Sequence, residues 1–513
     1  MKVSNTFLIF SNLRQLFIML LTPVAIIMAS GYSLSGQTRI NRIHAHKARS
    51  FLDSNHLEGN LIHLNLCGER PEHIREIYKT AFNTLISHPN AGFIELAGNQ
   101  AFLDLCRENG ISHSGGPMLG NISSEGASVW IRTLKPASVE VRIDTGGLTR
   151  TYGPVNSSES SDLTAVVRVN GLKPGTSYPY RVFIDGRQIN TDAQQYIRTA
   201  PRENSPAKAR IAFGTCYHRW GLCNQQLSNQ IIAREPLALL LGGDIAVQDR
   251  RNHIGLHRAD YLLRDFHPAW SSLVSSIPVY ATWDDHDYFD NDLYNIPEGY
   301  TLEDKEAVSD IFRISWNNPL YGSGEDGKGV FFRTRIGPAD VIMLDNRYFR
   351  KKGNFLGDQQ MEWLKEQLLD CKGPFIILSN GTMWSDYVSA GKDSWGVYDP
   401  QGREEIFKLI EDNNIGGVLL ISGDRHGARG FTIPRSSGFS FYEFEVGSLG
   451  GRVGPPPIRA DWNTQLYGIS GEYAFGEFDF DATLPDPEVT FRLIHENGTI
   501  LYQLTLKKSE LTP

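Results

Sequence analysis

The stretch IPVYATWDDHDYFDND (Ile277–Asp292) begins as an apolar run and ends in a crowd of polar groups: the twelve residues from Ala281 hold five Asp, one His and one Asn. The apolar part has the length and composition of a buried strand. The polar part sets like charges side by side at the strand's end, where they repel one another unless a cation sits among them.

Working outward, the same pattern recurs. ARIAFGTC (Ala209–Cys216), ALLLGGD (Ala238–Asp244), ADVIMLDNR (Ala339–Arg347), GPFIILSNG (Gly373–Gly381) and GGVLLISGD (Gly416–Asp424) are apolar runs separated by helix-length segments. Apolar strands alternating with helices predict a layered α/β domain with buried sheets, over residues 203–513. GEFDFD, EVTFRLIHE and ILYQLTLKK near the C-terminus predict strands that close an edge of it.

Nearly every strand of this region finishes in a group able to bind metal: Cys216, Asp244, the acidic cluster, Asn380, and Asp424 with His426. Carboxyl ends of strands in open α/β sheets face the ligand crevice, so five separated elements are expected to converge. Singly, each has an ordinary alternative, a turn cap for a strand-terminal Asp or a small buried residue for Cys216. Together they suit two or more metals of different hardness. Neighbours in sequence point in different directions, so Asp284, Asp285 and Asp287 are not all ligands. Asp285 or Asn291 is expected to bind metal, and Asp284 or Asp287 to orient His286 or cap the next turn. A metal pair clamps a phosphoryl group and acidifies water, and His286 then stands as the general acid for the leaving oxygen. Arg347 and Arg425 offer forks for phosphate, with a salt bridge to a neighbouring Asp as the competing role. His218 and Trp220 belong to a loop that lines the crevice or lies on the surface, and Trp395 to a flap or to packing.

Residues 113–202 read differently. Short alternating runs such as ASVWIRT, SVEVRI, LTAVVRV and YPYRVFI, broken by turn signals such as GLKPGTS, predict an all-β sandwich of immunoglobulin or fibronectin type. Residues 37–110 carry helical stretches, among them PEHIREIYKTAFNTLISH (Pro71–His88), with no catalytic pattern. Residues 1–30 place Lys2 and Arg14 before the apolar Gln15–Ala29 run and then small residues, the order of a signal peptide, with an uncleaved anchor as the alternative. Periplasmic or secreted location is therefore expected, with no membrane span after cleavage. Of five cysteines, at 67, 106, 216, 223 and 371, Cys67 and Cys106 are one available pair.

A net charge of −8 with no long basic run leaves no nucleic-acid footprint. There is no GxSxG elbow, no HExxH pair and no Gly-rich loop opening a helix after the first α/β strand, which sets aside serine hydrolases, zinc proteases and dinucleotide binders.

FGTC (Phe213–Cys216), GGD (Gly242–Asp244), TWDDHD (Thr282–Asp287), LDNR (Leu344–Arg347), SNG (Ser379–Gly381) and SGDRH (Ser422–His426) resemble, in order, the motifs of the alkaline phosphatase D-like metallophosphoesterases. FRISWNNPLYG (Phe312–Gly322), LGDQQMEWLKEQL (Leu356–Leu368) and DSWGVY (Asp393–Tyr398) fill the intervals similarly. The resemblance runs over roughly residues 113 to 505. It implies a four-layer α/β/β/α catalytic domain behind the sandwich, hydrolysis of phosphate mono- or diesters, and calcium and iron as metals, with zinc or manganese as alternatives. It also implies Cys216 on iron, Asp244 bridging, Asp424 and His426 each on one metal, and Asn291 and Asn380 as further ligands. Val247 stands where iron-binding members carry Tyr, three residues after Asp244. A phosphate-ester substrate is the expected partner. A non-catalytic metal- or phosphate-binding cell-surface protein is the alternative reading.

Overall fold

The computed structural model describes residues 55–513 apart from 192, 325–326, 387–393, 453 and 455–462. The signal-like segment 1–30, residues 37–54 and the start of DSWGVY lie outside the described residues. Residues up to Glu69 form a unit of their own, which carries the helix Leu57–Leu64. Residues 70–513 form the second and larger unit.

In this larger unit, Pro71 precedes the helix Glu72–Leu85, whose buried Ile77, Tyr78, Ala81, Phe82 and Leu85 recur at helical spacing on one face. That face docks on the helix Ile254–Asp265. Gly255 permits the approach, since a Cβ there would lie 1.9 Å from the Leu85 carbonyl oxygen. Cys106, in the helix Gln100–Glu108, is a buried free thiol, so the Cys67–Cys106 pairing is not made.

Eight strands come next: β1 (His113–Gly120), β2 (Ala127–Thr133), β3 (Ser138–Asp144), β4 (Thr149–Asn156), β5 (Thr164–Val169), β6 (Ser177–Ile184), β7 (Arg187–Gln188) and β8 (Gln195–Arg198). They form two sheets, β1-β2-β5 and β4-β3-β6-β7 with β8 on β6. Along β3 the predicted alternation holds, with Val139, Val141 and Ile143 buried between half-exposed neighbours.

The α/β region contributes β9 (Lys208–Gly214), β10 (Ala238–Gly242), β11 (Val279–Thr282), β12 (Phe332–Ile336), β13 (Ala339–Met343), β14 (Phe375–Ser379), β15 (Val418–Ser422), β16 (Gly427–Pro434), β17 (Ser440–Gly447), β18 (Gln465–Ile469), β19 (Ala474–Asp481), β20 (Glu488–His495) and β21 (Ile500–Lys507). One sheet runs β11-β10-β9-β19-β20-β21, the other β12-β13-β14-β15-β17-β16-β18. Strands β9, β10 and β11 are mutually parallel, as are β13, β14, β15 and β17.

Alternation along the strands divides the core. Phe213, Phe478 and Phe491 of one sheet meet Phe444 of the other, with Phe444 4.4 Å from Phe491 and 5.3 Å from Phe478 between ring centroids. On β13, β14 and β15 the other parity, Ile342, Ile376, Leu378, Val418 and Leu420, packs against Leu364 and Leu368 of the helix Gly357–Asp370 and Ile406, Phe407 and Ile410 of the helix Pro400–Asp412. On the opposite sheet, Arg234, which ends the helix Gln225–Ala233, pairs with the buried Glu477 of β19.

The sandwich is tied to this region through WNN of FRISWNNPLYG. Asn317 Nδ2 donates to the Met118 and Ser128 carbonyls at 2.8 and 3.0 Å, and Ser128 Oγ donates back to Asn317 Oδ1 at 2.7 Å. Asn318 bonds both backbone groups of Ala281 on β11. Behind it, the buried Asp162 accepts from Arg258 Nε at 3.0 Å, Arg132 Nη2 at 3.4 Å and the Phe93 N–H at 3.3 Å, joining α/β, sandwich and helical segments at one carboxylate.

Candidate metal centre

The loops leaving β9, β10, β11 and β15 meet. One atom each of Cys216, His218, Asp244 and His426 lie within 4.8 Å of one another; the same holds for Asp244, Asp285 and His286, and for Asp284, Asp285 and Asp424. Backbone bonds hold the loops in this position: Cys216 N–H to Gly243 O at 3.1 Å, His218 N–H to Asp244 O at 2.8 Å, and Thr215 N–H to Val446 O at 2.8 Å. Five of these residues have left-handed backbones, with φ of 53° at Cys216, 51° at His218, 54° at Asp244, 70° at Asp424 and 45° at His426. Each costs on the order of 1 kcal/mol in a non-glycine residue, strain that characteristically gathers at functional sites. Gly243 is needed for close passage, because a Cβ there would lie 2.6 Å from Asp284 Cβ.

The crowded aspartates after β11 divide their work. Asp287 accepts the N–H groups of Ile245, Ala246 and Val247 at 3.0 to 3.3 Å and so shapes the turn after Asp244. Asp284 accepts from Asn346 Nδ2 at 2.8 Å and Arg347 Nε at 2.6 Å. Asp285 Oδ1 accepts the His286 N–H and Oδ2 the Asp292 N–H. His286 Nδ1 hydrogen-bonds the Asp249 carboxylate.

LDNR is thus a bracket for the aspartates. Asp345 caps its own loop through Arg347 and Tyr348 N–H and takes the Trp283 indole N–H at 2.7 Å. Arg347 is wholly buried in its ion pair with Asp284, and Arg425 Nε pairs with Asp424 at 3.0 Å. Asn380 is buried, its Nδ2 on the Thr382 carbonyl. Asn291 lies on an exposed turn with its N–H on Asp290. Trp395 is a packing aromatic, 4.5 Å from Trp384 and 5.3 Å from Phe355 between ring centroids. His218, placed in a loop with two open roles by the sequence, is buried at the centre with its ring 4.5 Å from Trp220. The one clue to it was its position two residues after Cys216.

Electrostatics record the crowding. Burial, with Asp285, Asp284 and Asp287 nearby, pushes the Asp244 carboxyl far above its ordinary range against the pull of His286. Burial likewise lifts Asp287 to about 7, although backbone N–H groups oppose it. Asp285 resists its burial because His286 and Arg347 hold it down at about 2. His286, also opposed by burial, is lifted to about 10 by Asp244, Asp285 and Asp249. Cys216 is pushed up by burial and by Asp244.

The residues fit a cation. Neither carboxylate oxygen of Asp244 nor Oδ1 of Asn380 has a hydrogen-bond donor, though all three atoms are buried. An unsatisfied buried carboxylate is costly, and a divalent or trivalent ion removes that cost. A thiol, imidazoles, carboxylates and an amide oxygen form a donor set of mixed hardness suited to more than one metal.

Residues 248–466 match the family model described as PhoD-like phosphatase, and residues 113–202 the one described as Domain of unknown function (DUF7800). Alkaline phosphatase D of Bacillus subtilis (strain 168) is 25% identical over 324 residues, 51% of this chain and 52% of that protein. The chain thus spans about half the length of the curated relative it matches. The fold is similar to a solved structure titled Structure of PhoD, with TM-score 0.65 and 16% identity over 78% of this chain and 91% of that one. It is also similar to the purple acid phosphatase PPD1 from yellow lupin (Lupinus luteus) seeds, with TM-score 0.58 and 14% identity over 76% and 74%.

Proposed function

From the match of residues 248–466 to the PhoD-like phosphatase family model, we propose that this chain is a metal-dependent phosphoric ester hydrolase acting on mono- or diesters. One observation carries the reading: ligand groups from four separate strand ends converge, those after β9, β10 and β11 buried, with both oxygens of Asp244 lacking donors.

Cys216, Asp244, Asp285, Asn380, Asp424 and His426 would hold the metals, with Asp244 shared between two of the converging groups. When bound, such cations polarise phosphoryl oxygens and acidify water. The chain's own residues do the rest. His286, whose Nδ1 is held by the Asp249 carboxylate beside the ligand groups, donates a proton to the leaving oxygen. Asp249 fixes the ring by accepting from Nδ1, so the other nitrogen is the one turned to the reaction. Arg347 and Asn346 hold Asp284 still, and Asp287 fixes the turn that carries Asp244.

Calcium and iron are the metals we favour, with zinc or manganese as alternatives. The buried Val247 offers no phenolate, so a ferric form is expected to lack the phenolate-to-iron absorption band. The finer architecture belongs to the same proposal: a four-layer α/β/β/α domain behind an immunoglobulin-like sandwich. So does export: the order of charged, apolar and small residues over 1–30 supports a signal peptide, and no helix among the described residues is long and apolar enough to cross a membrane.

The test is hydrolysis of a chromogenic phosphomonoester and diester by purified protein, with and without chelator, alongside Asp244→Ala. Turnover should fall to background in both cases. Activity that survives chelator and substitution alike would overturn the reading, and tight metal binding without turnover of any ester would favour a binding protein instead.

A further inference from the structure

We infer that His218 is a protein donor to the cation held by Cys216, Asp244 and His426, and that Gln248 is the residue that positions it. This rests on the metal-dependent reading and adds to it a ligand and its support.

The geometry fixes the imidazole's chemistry. Gln248 Nε2 lies 2.9 Å from Asp249 Oδ2, a carboxylate that only accepts, so the amide nitrogen faces that side. Gln248 Oε1 therefore faces His218 Nδ1, at 2.9 Å, and Nδ1 must carry the proton it donates. In the neutral ring this leaves the lone pair on Nε2, which lies 3.8 Å from Asp244 Oδ2. A lone pair facing a carboxylate oxygen is repulsive, and an ion between them converts the repulsion into two bonds. His218 and Cys216 are fully buried and Asp244 is 1% exposed. The Asp244 oxygens, which lack donors, are an independent sign that a cation belongs there. An imidazole held through its second nitrogen by a side-chain acceptor is the usual support of a metal-binding histidine.

The strain has the same direction. Left-handed backbones at Cys216 and His218, two residues apart, turn both side chains toward Asp244, while the His218 N–H bonds the Asp244 carbonyl at 2.8 Å. Trp220, stacked 4.5 Å from the imidazole, stands behind it as a wall. The resulting set is one thiolate, two imidazoles and one shared carboxylate.

Cobalt(II) added to metal-free protein reads the set directly. Wild type should show a thiolate-to-cobalt band and d–d bands of low coordination number. His218→Ala should keep the thiolate band, change the d–d bands and lose at least about tenfold in cobalt affinity, with added imidazole restoring the spectrum. Gln248→Leu should cost about 10- to 100-fold in affinity, whereas Gln248→Glu, which keeps the acceptor, should stay near wild type. Unchanged d–d bands and affinity in His218→Ala would overturn this assignment alone. Equal losses in both Gln248 variants would overturn the positioning role. Wild type that takes up no cobalt would overturn the metal-dependent reading with it.

Discussion

Asp244 and Asp285 are buried neighbours whose carboxyls are driven in opposite directions: His286, the Arg347 guanidinium and two backbone N–H groups hold Asp285 down, whereas Asp244 faces three other aspartates without a hydrogen-bond donor. Arg347, fully enclosed, holds Asp284 at 2.6 Å and lies 4.0 Å from Asp285. Arg347→Met would leave that charge uncompensated, so we expect a loss of about 3–5 kcal/mol of unfolding free energy, read from urea denaturation. His286 makes a different prediction. If it serves as proton donor, His286→Gln should lower kcat by roughly 10²- to 10⁴-fold while elemental analysis shows the metal content retained. Metal lost together with activity would make His286 a ligand instead.

Among the elements, the motifs between the ligand-bearing strands turn out to be braces. WNN binds the sandwich to β11, and LDNR binds the aspartates. Asn317→Ala would strand the Met118 carbonyl and the Ser128 hydroxyl in a buried junction, at about 1–3 kcal/mol. Chemical denaturation should show that loss while kcat for the chromogenic ester stays unchanged, because no group of the site is touched. The strand runs and the helix after Pro71 were legible because continuous or periodic apolar patterns are written by burial itself. The bracing asparagines were legible only as a motif, since an amide's partners lie wherever the chain brings a free backbone group.

For the molecule as a whole, buried histidines set a pH dependence away from the site. Burial holds His257 down at about 4 despite its bond to the Arg251 carbonyl. Burial, reinforced by Arg70 and Arg219, holds His267 near 3. Both stay neutral in the folded state, while the unfolded chain takes up their protons below its ordinary 6.5. Their contribution is therefore complete above pH 6.5 and is lost as pH falls toward 4 and then 3, by up to about 1.4 kcal/mol per pH unit for each. The raised carboxyls of Asp287 and Glu445 act in the opposite sense as pH rises, so the comparison with His257→Gln and His267→Gln isolates the effect. Melting curves between pH 6.5 and 4 should be flatter in the variants.

The sequence by itself determined the alternation of apolar strands and helices, the separate alternating segment before them, and the polar chemistry at the strand ends, because burial and charge leave one-dimensional traces. Tertiary structure alone decided how the aspartates share their work, that Arg347 is enclosed in an ion pair, that Asn291 lies on an exposed turn, and that His218 stands among the converging ligands. The reason is geometric. A side chain's direction in a loop depends on left-handed turns and on bonds to distant backbone, such as His218 to Asp244, and neither leaves a period in the sequence.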